Sequence, residues 1–105
     1  MNKNVTKLNL NLTLITMFSD AAGILDREGY RYKHTLSDGT VCFSFPTSEE
    51  LELLMERTAT KVFRNLVAKN VNVTRKNAKD IILAYINVEQ VKEIIVKKFE
   101  LVKEN

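Results

Sequence analysis

The sequence predicts an α+β fold: a small antiparallel or mixed three-stranded sheet in the order β-α-β-β, followed by three helices packed on one face. Three observations carry that prediction. Residues 7–15 alternate apolar and polar side chains in steps of two. Residues 30–45 hold two strand-like runs around Asp38-Gly39, and residues 47–102 repeat apolar side chains at helical spacing between capping signals. At 105 residues, 45% hydrophobic and 28% charged, with three Gly and one Pro, the chain reads as one domain over 1–105. Those proportions exclude wholesale disorder and collagen-like repeats, and they suffice for one modest core.

The first expected strand sets Leu8, Leu10, Leu12 and Leu14 against Asn9, Asn11 and Thr13, one buried face and one wet. Ser19 or Asp20 can then cap a short helix through Ile24 and Leu25, and Gly29 supplies a left-handed stop. Asp38-Gly39 suits a two-residue type I′ turn. With that loop Leu36 faces Val41, His34 faces Phe43 and Tyr32 faces Phe45, all on one side of the ribbon. Lys33, Thr35, Cys42 and Ser44 fall on the other.

Thr47-Ser48-Glu49-Glu50 reads as a capping box, with Thr47 as N-cap and Glu50 three residues on. It opens a helix to about Asn70 with Leu51, Leu54, Met55, Ala59, Val62, Phe63 and Leu66 as its inner stripe. Thr74 can cap a second helix over 75–86. Asn87, with Gln90 at the third position, opens a last one striped by Val88, Val91, Ile95, Phe99 and Val102.

Chemistry is hard to place on this inventory. Cys42 is the only cysteine, so no intrachain disulfide forms and a reducing cytoplasm is the expected compartment. The opening residues do not read as a signal peptide, and no apolar run approaches the ~20 residues of a membrane span. The triplets at Asn4, Asn11 and Asn72 match the glycosylation pattern but read as accidents of an Asn-rich chain. One histidine, His34, must serve any triad or zinc site, and alternation puts it on the face opposite Cys42, which defeats a nucleophile–base pair. The glutamates at 49, 50, 52 and 56 suit the positive end of a helix dipole rather than a catalytic pair. The expectation is therefore no catalytic residue, no metal and no cofactor.

Charge is more informative. Residues 57–79 carry Arg57, Lys61, Arg64, Lys69, Arg75, Lys76 and Lys79 and no acid, directly after a segment with four glutamates, so the net charge of +3 hides a concentrated basic block. Arg57, Lys61 and Arg64 share one helix face away from the apolar stripe. Such a ridge suits a row of phosphates or an acidic protein.

Within that block, residues 64–83 resemble a helix-turn-helix DNA-binding segment. Ala68 stands at the small position of the first helix, Asn72 at the left-handed turn, Val73, Ala78 and Ile81 at the packing positions, and Thr74 at the cap. Ala78 is smaller than the residue usual there, and the preceding helix is longer than the motif's. The resemblance implies that Arg75, Lys76, Asn77 and Lys79, with Asp80 as a further candidate, lie on the helix that enters the major groove, where Arg and Lys suit guanine and Asn suits adenine.

Two functional expectations follow. In the first, a small cytoplasmic regulator binds nucleic acid through 57–79. In the second, an inhibitor or adaptor docks its basic ridge on an acidic partner protein; the Lys-, Asn- and Ile-rich usage suits an AT-rich coding genome, some phages among them. Neither involves a membrane. The wide stripe of the last helix also suits pairing with a second copy as a homodimer.

Overall fold

The computed structural model of the chain describes residues 3–74 and 76–103, with side chains from Leu10 onward. The elements run α1 (Lys3–Arg27), β1 (Tyr30–Thr35), β2 (Val41–Ser44), α2 (Ser48–Ala68), α3 (Ala78–Tyr85), α4 (Val88–Phe99) and β3 (Val102–Lys103). The fold is α+β with a small antiparallel three-stranded sheet in the order β2-β1-β3.

Residues 7–15 are not a strand. They belong to α1, and Ser19 and Asp20 lie inside that helix as exposed side chains rather than at a cap. The reason is visible over a longer window. Leu10, Leu14, Met17, Phe18, Ala21, Ala22 and Leu25 are all buried and recur at spacings of three and four, while Leu12 is 50% exposed. The step-of-two alternation is a short coincidence laid over a 25-residue helical stripe. Gly29 does end the helix region, at φ 86°, its N–H donating to the Asp26 carbonyl.

With the first strand gone, the third strand comes from the far end of the chain, where Val102 pairs with Arg31 and Lys103 with Tyr30. The packing differs from expectation too. The helices do not cover one face of the sheet; α2, α3 and α4 gather on α1, and β1 meets α1 as well. The molecule is accordingly drawn out, 55 × 24 × 18 Å.

The hairpin forms, but its register is shifted by one. Thr35 pairs with Val41, His34 with Cys42, Lys33 with Phe43 and Tyr32 with Ser44. Leu36 N–H donates to Thr40 O at 2.8 Å and Gly39 N–H to Leu36 O at 2.9 Å, with Gly39 at φ 88°. That is a three-residue loop, a turn followed by a left-handed glycine. An Asp-Gly pair serves both loop types, because each needs a positive φ at the glycine. The shift re-sorts the faces: Tyr32, His34, Cys42 and Ser44 lie together, half-buried, while Lys33, Thr35, Val41 and Phe43 are exposed on the other side.

Both capping boxes are present, Thr47 with Glu50 and Asn87 with Gln90. On α2 the buried stripe is Leu54, Met55, Thr58, Ala59, Val62 and Leu66; Leu51 and Phe63 are only partly covered. Thr58 is tolerated inside because its hydroxyl donates to Leu54 O at 3.0 Å. On α4, Val91 and Ile95 are buried against the core, whereas Val102 has left the helix for β3 and is 53% exposed.

Candidate functional site

The basic block spans the second half of α2, a loop and the start of α3. Arg57, Lys61 and Arg64 are exposed and lie opposite the buried stripe of α2. Their spacing strings three cations along roughly 10 Å of helix axis at 1.5 Å per residue. The same spacing leaves them without carboxylates, since the positions three and four residues away on either side of each hold only Leu, Thr, Val, Ala, Asn or one another. Among the described residues the ion pairs are Arg31–Asp26 at 2.7 Å and Lys92–Glu89 at 3.5 Å, and neither draws on the block. Leu53, 59% exposed, stands one turn before Arg57 on the same outer face.

Lys69 does not join that ridge. It is the exposed residue that caps the C-terminus of α2, and its Nζ lies 5.2 Å from the Tyr85 ring centroid on α3. It ties the end of one helix to the next. Asn70, not Asn72, takes the left-handed conformation, at φ 56°. Asn70 N–H donates to Val67 O and Val71 N–H to Leu66 O, the paired bonds of a Schellman stop.

Thr74 and Asn77 then bond reciprocally. The Thr74 N–H donates to Asn77 Oδ1 at 2.6 Å and the Asn77 N–H to Thr74 Oγ1 at 3.3 Å, while Ala78 N–H reaches Thr74 O at 2.9 Å. Thr74 thus caps the turn leading into α3. Asn77 Nδ2 also donates to Asn72 O at 3.0 Å, so its amide is committed to holding the loop. Lys76 and Lys79 are exposed, and Lys79 lines a groove between α1 and α3 with Asp20 and Leu83. Arg75 lies outside the described residues. The structure therefore brings Arg57, Lys61 and Arg64 onto one ridge, places Lys76 and Lys79 at the entry of α3, and assigns Lys69 and Asn77 to the joint between the two helices. Both helices find their main packing on α1 rather than on each other.

His34 and Cys42 require a correction. They are directly opposed across the ribbon and share a face, because the three-residue loop moved the register. His34 Nε2 nevertheless lies 2.9 Å from Ser44 Oγ, and its ring tilts against Tyr32 with centroids 5.5 Å apart. The imidazole's polar contact is thus a hydroxyl and not the thiol. Three grooves between the helices, at α1/α2 and α1/α3, are lined by none of these residues. Among the described residues no three His, Cys, Asp or Glu side chains are grouped to hold a metal ion, and no helix is long and apolar enough to cross a membrane.

Sequence reasoning missed Leu53 on the ridge and the contact of Lys69 with Tyr85. The first was legible from its four-residue spacing to Arg57; the second depends on where α3 lies and left no mark in the sequence. No protein-family model, curated protein or solved structure matches the chain.

Proposed function

We propose that this chain is a small, non-enzymatic binding protein that holds nucleic acid by its phosphates, through the outer ridge of α2 and the entry of α3. The observation that carries the reading is that Arg57, Lys61, Arg64, Lys76 and Lys79 are exposed and without an ion pair among the described residues. A protein that uses lysine and arginine only for solubility loses nothing by pairing them with its glutamates; here the four acids of 47–56 precede the block and never interleave with it. Three cations over roughly 10 Å suit a phosphate strand that advances about 3.4 Å of axis per nucleotide. Because Asn77 is held by its own loop, the contact is to the backbone more than to base edges.

A salt titration of binding to duplex DNA tests this. Five phosphate contacts give a slope of log K against log salt near −4.5, or a loss of roughly 10²–10³ in affinity from 50 to 200 mM. The variant Arg57→Ala/Lys61→Ala/Arg64→Ala is expected to reduce the slope to about −2. An unchanged slope overturns the assignment.

One observation favours a second reading, docking on an acidic protein: exposed Leu53 sets an apolar anchor at the N-terminal end of the basic ridge. Leu53→Ser separates the two, since it leaves phosphate binding unchanged and weakens a protein contact.

A further inference from the structure

The exposed face of the sheet carries a second feature that the α2 ridge does not explain. Lys33 and Phe43 are direct cross-strand partners, and alternation from the bonded Leu36–Thr40 pair makes theirs a non-hydrogen-bonded site, where side chains approach most closely. Phe43 is 48% exposed, Lys33 is exposed, and no ion pair engages that lysine among the described residues. Two residues along, the same arrangement is already filled from within the protein: the Arg31 guanidinium lies 5.4 Å from the Phe45 ring centroid and pairs with Asp26. The face thus presents two phenylalanines, each beside a cation, one covered and one open. Its other strand positions are Thr35, Val41 and Val102, with no acid; Asp38 sits at the loop tip with its carboxylate accepting from Thr40 N–H.

An open ring next to an unneutralised ammonium matches one ligand chemistry better than others. An apolar protein surface would bury Lys33 unpaired, at a desolvation cost. A duplex keeps its bases stacked and offers the ring nothing. A single strand offers both an unstacked base for the ring and a phosphate for the ammonium. We infer that the Lys33–Phe43 site on the β1–β2 ribbon is a stacking platform for single-stranded nucleic acid, taking one base on Phe43 and an adjacent phosphate on Lys33. This inference rests on the nucleic-acid reading above and deepens it by naming the strand state.

The test is fluorescence anisotropy at low salt with a labelled thymidine oligomer and an abasic phosphodiester oligomer of equal length. Phe43→Leu keeps the apolar volume and removes the π face. It is expected to weaken the thymidine oligomer by about 5- to 150-fold, the usual worth of one stacked base, and to leave the abasic oligomer unchanged. Phe43→Tyr retains binding, and Lys33→Gln lowers the salt slope for both oligomers by about 1. Equal affinity of Phe43→Leu and the unsubstituted protein for the thymidine oligomer overturns the platform, whatever the α2 ridge does. If Phe43→Leu weakens binding while the Arg57/Lys61/Arg64 triple variant does not, the platform stands and the ridge assignment falls. Failure of the unsubstituted protein to bind either oligomer overturns the platform and leaves the ridge to be decided by the duplex titration. A concentration-dependent dimer in sedimentation that Phe43→Leu abolishes also overturns it, by showing the face to be a contact between copies.

Discussion

Glu100 ends α4 at φ 53°, a left-handed conformation that costs a residue with a Cβ about 1–2 kcal/mol. Its carboxylate also sits at the negative end of the helix dipole. Glu100→Gly removes both penalties and adds some unfolded-state entropy, so we expect a net gain of about 1 kcal/mol, read in thermal melts as a rise of about 4–8 °C. Asn70→Gly gains less, because asparagine already tolerates φ 56°. At the hairpin tip, hydrogen bonds from the Thr40 hydroxyl and then the Thr40 N–H hold the Asp38 carboxyl below its ordinary value of 3.8. A group lowered on folding stabilises the folded state above that ordinary value, and the contribution is lost as pH falls through the lower, folded one. The Thr40 amide resonance should therefore titrate with a midpoint below 3.8, and a midpoint at or above it contradicts the loop geometry. Cap and stop residues such as Thr47, Gly29 and Asn87 were legible in the sequence because their bonds close within a few residues. Which of Asn70 and Asn72 turns left was not, since both are chemically suited and only the end of α2 decides.

At the scale of elements, the largest difference between expectation and structure is α1, and substitutions can restate it. A strand over 7–15 buries Leu12 beside Leu14; the helix turns Leu12 outward and leaves Leu14 fully covered. Leu12→Lys is thus expected to change stability by no more than about 0.5 kcal/mol. Leu14→Ala should cost about 3 kcal/mol, the usual price of an unfilled leucine site in a core. Both are measurable by urea denaturation, and similar losses for the two would restore the strand. The error has a physical origin: four leucines at steps of two satisfy both periods over seven residues, and only Met17, Phe18, Ala21 and Leu25 resolve them. Length decided α2 and most of α4, because their stripes are sustained over several turns after a cap, although Val102, expected in α4, belongs to β3. The third strand was illegible for the opposite reason. Val102–Lys103 is two residues long and exists only because β1 offers it an edge.

Across the whole molecule, the candidate ridge was readable while its surroundings were not. Spacing and the missing acids leave Arg57, Lys61 and Arg64 without a partner on their own helix, and no ion pair reaches them among the described residues, whereas Lys69 and Asn77 took their roles from the placement of α3. That row has a cost the protein carries when nothing is bound. Like charges three and four residues apart on a helix repel by about 0.2–0.5 kcal/mol per pair, and Lys61 has such a neighbour on each side. Lys61→Glu turns two repulsions into two attractions, so it should raise stability by about 1 kcal/mol at low salt, with the gain fading as salt approaches about 1 M. The same substitution places an acid amid the phosphate contacts and should lower affinity for duplex DNA more than Lys61→Ala does. Added salt acts on the unsubstituted protein in the same two directions, raising the melting temperature as it weakens binding. Opposite signs for stability and binding are what a surface kept basic for a polyanion requires; if Lys61→Glu instead destabilises the fold at low salt, the row is not an electrostatic liability and its charge needs another explanation.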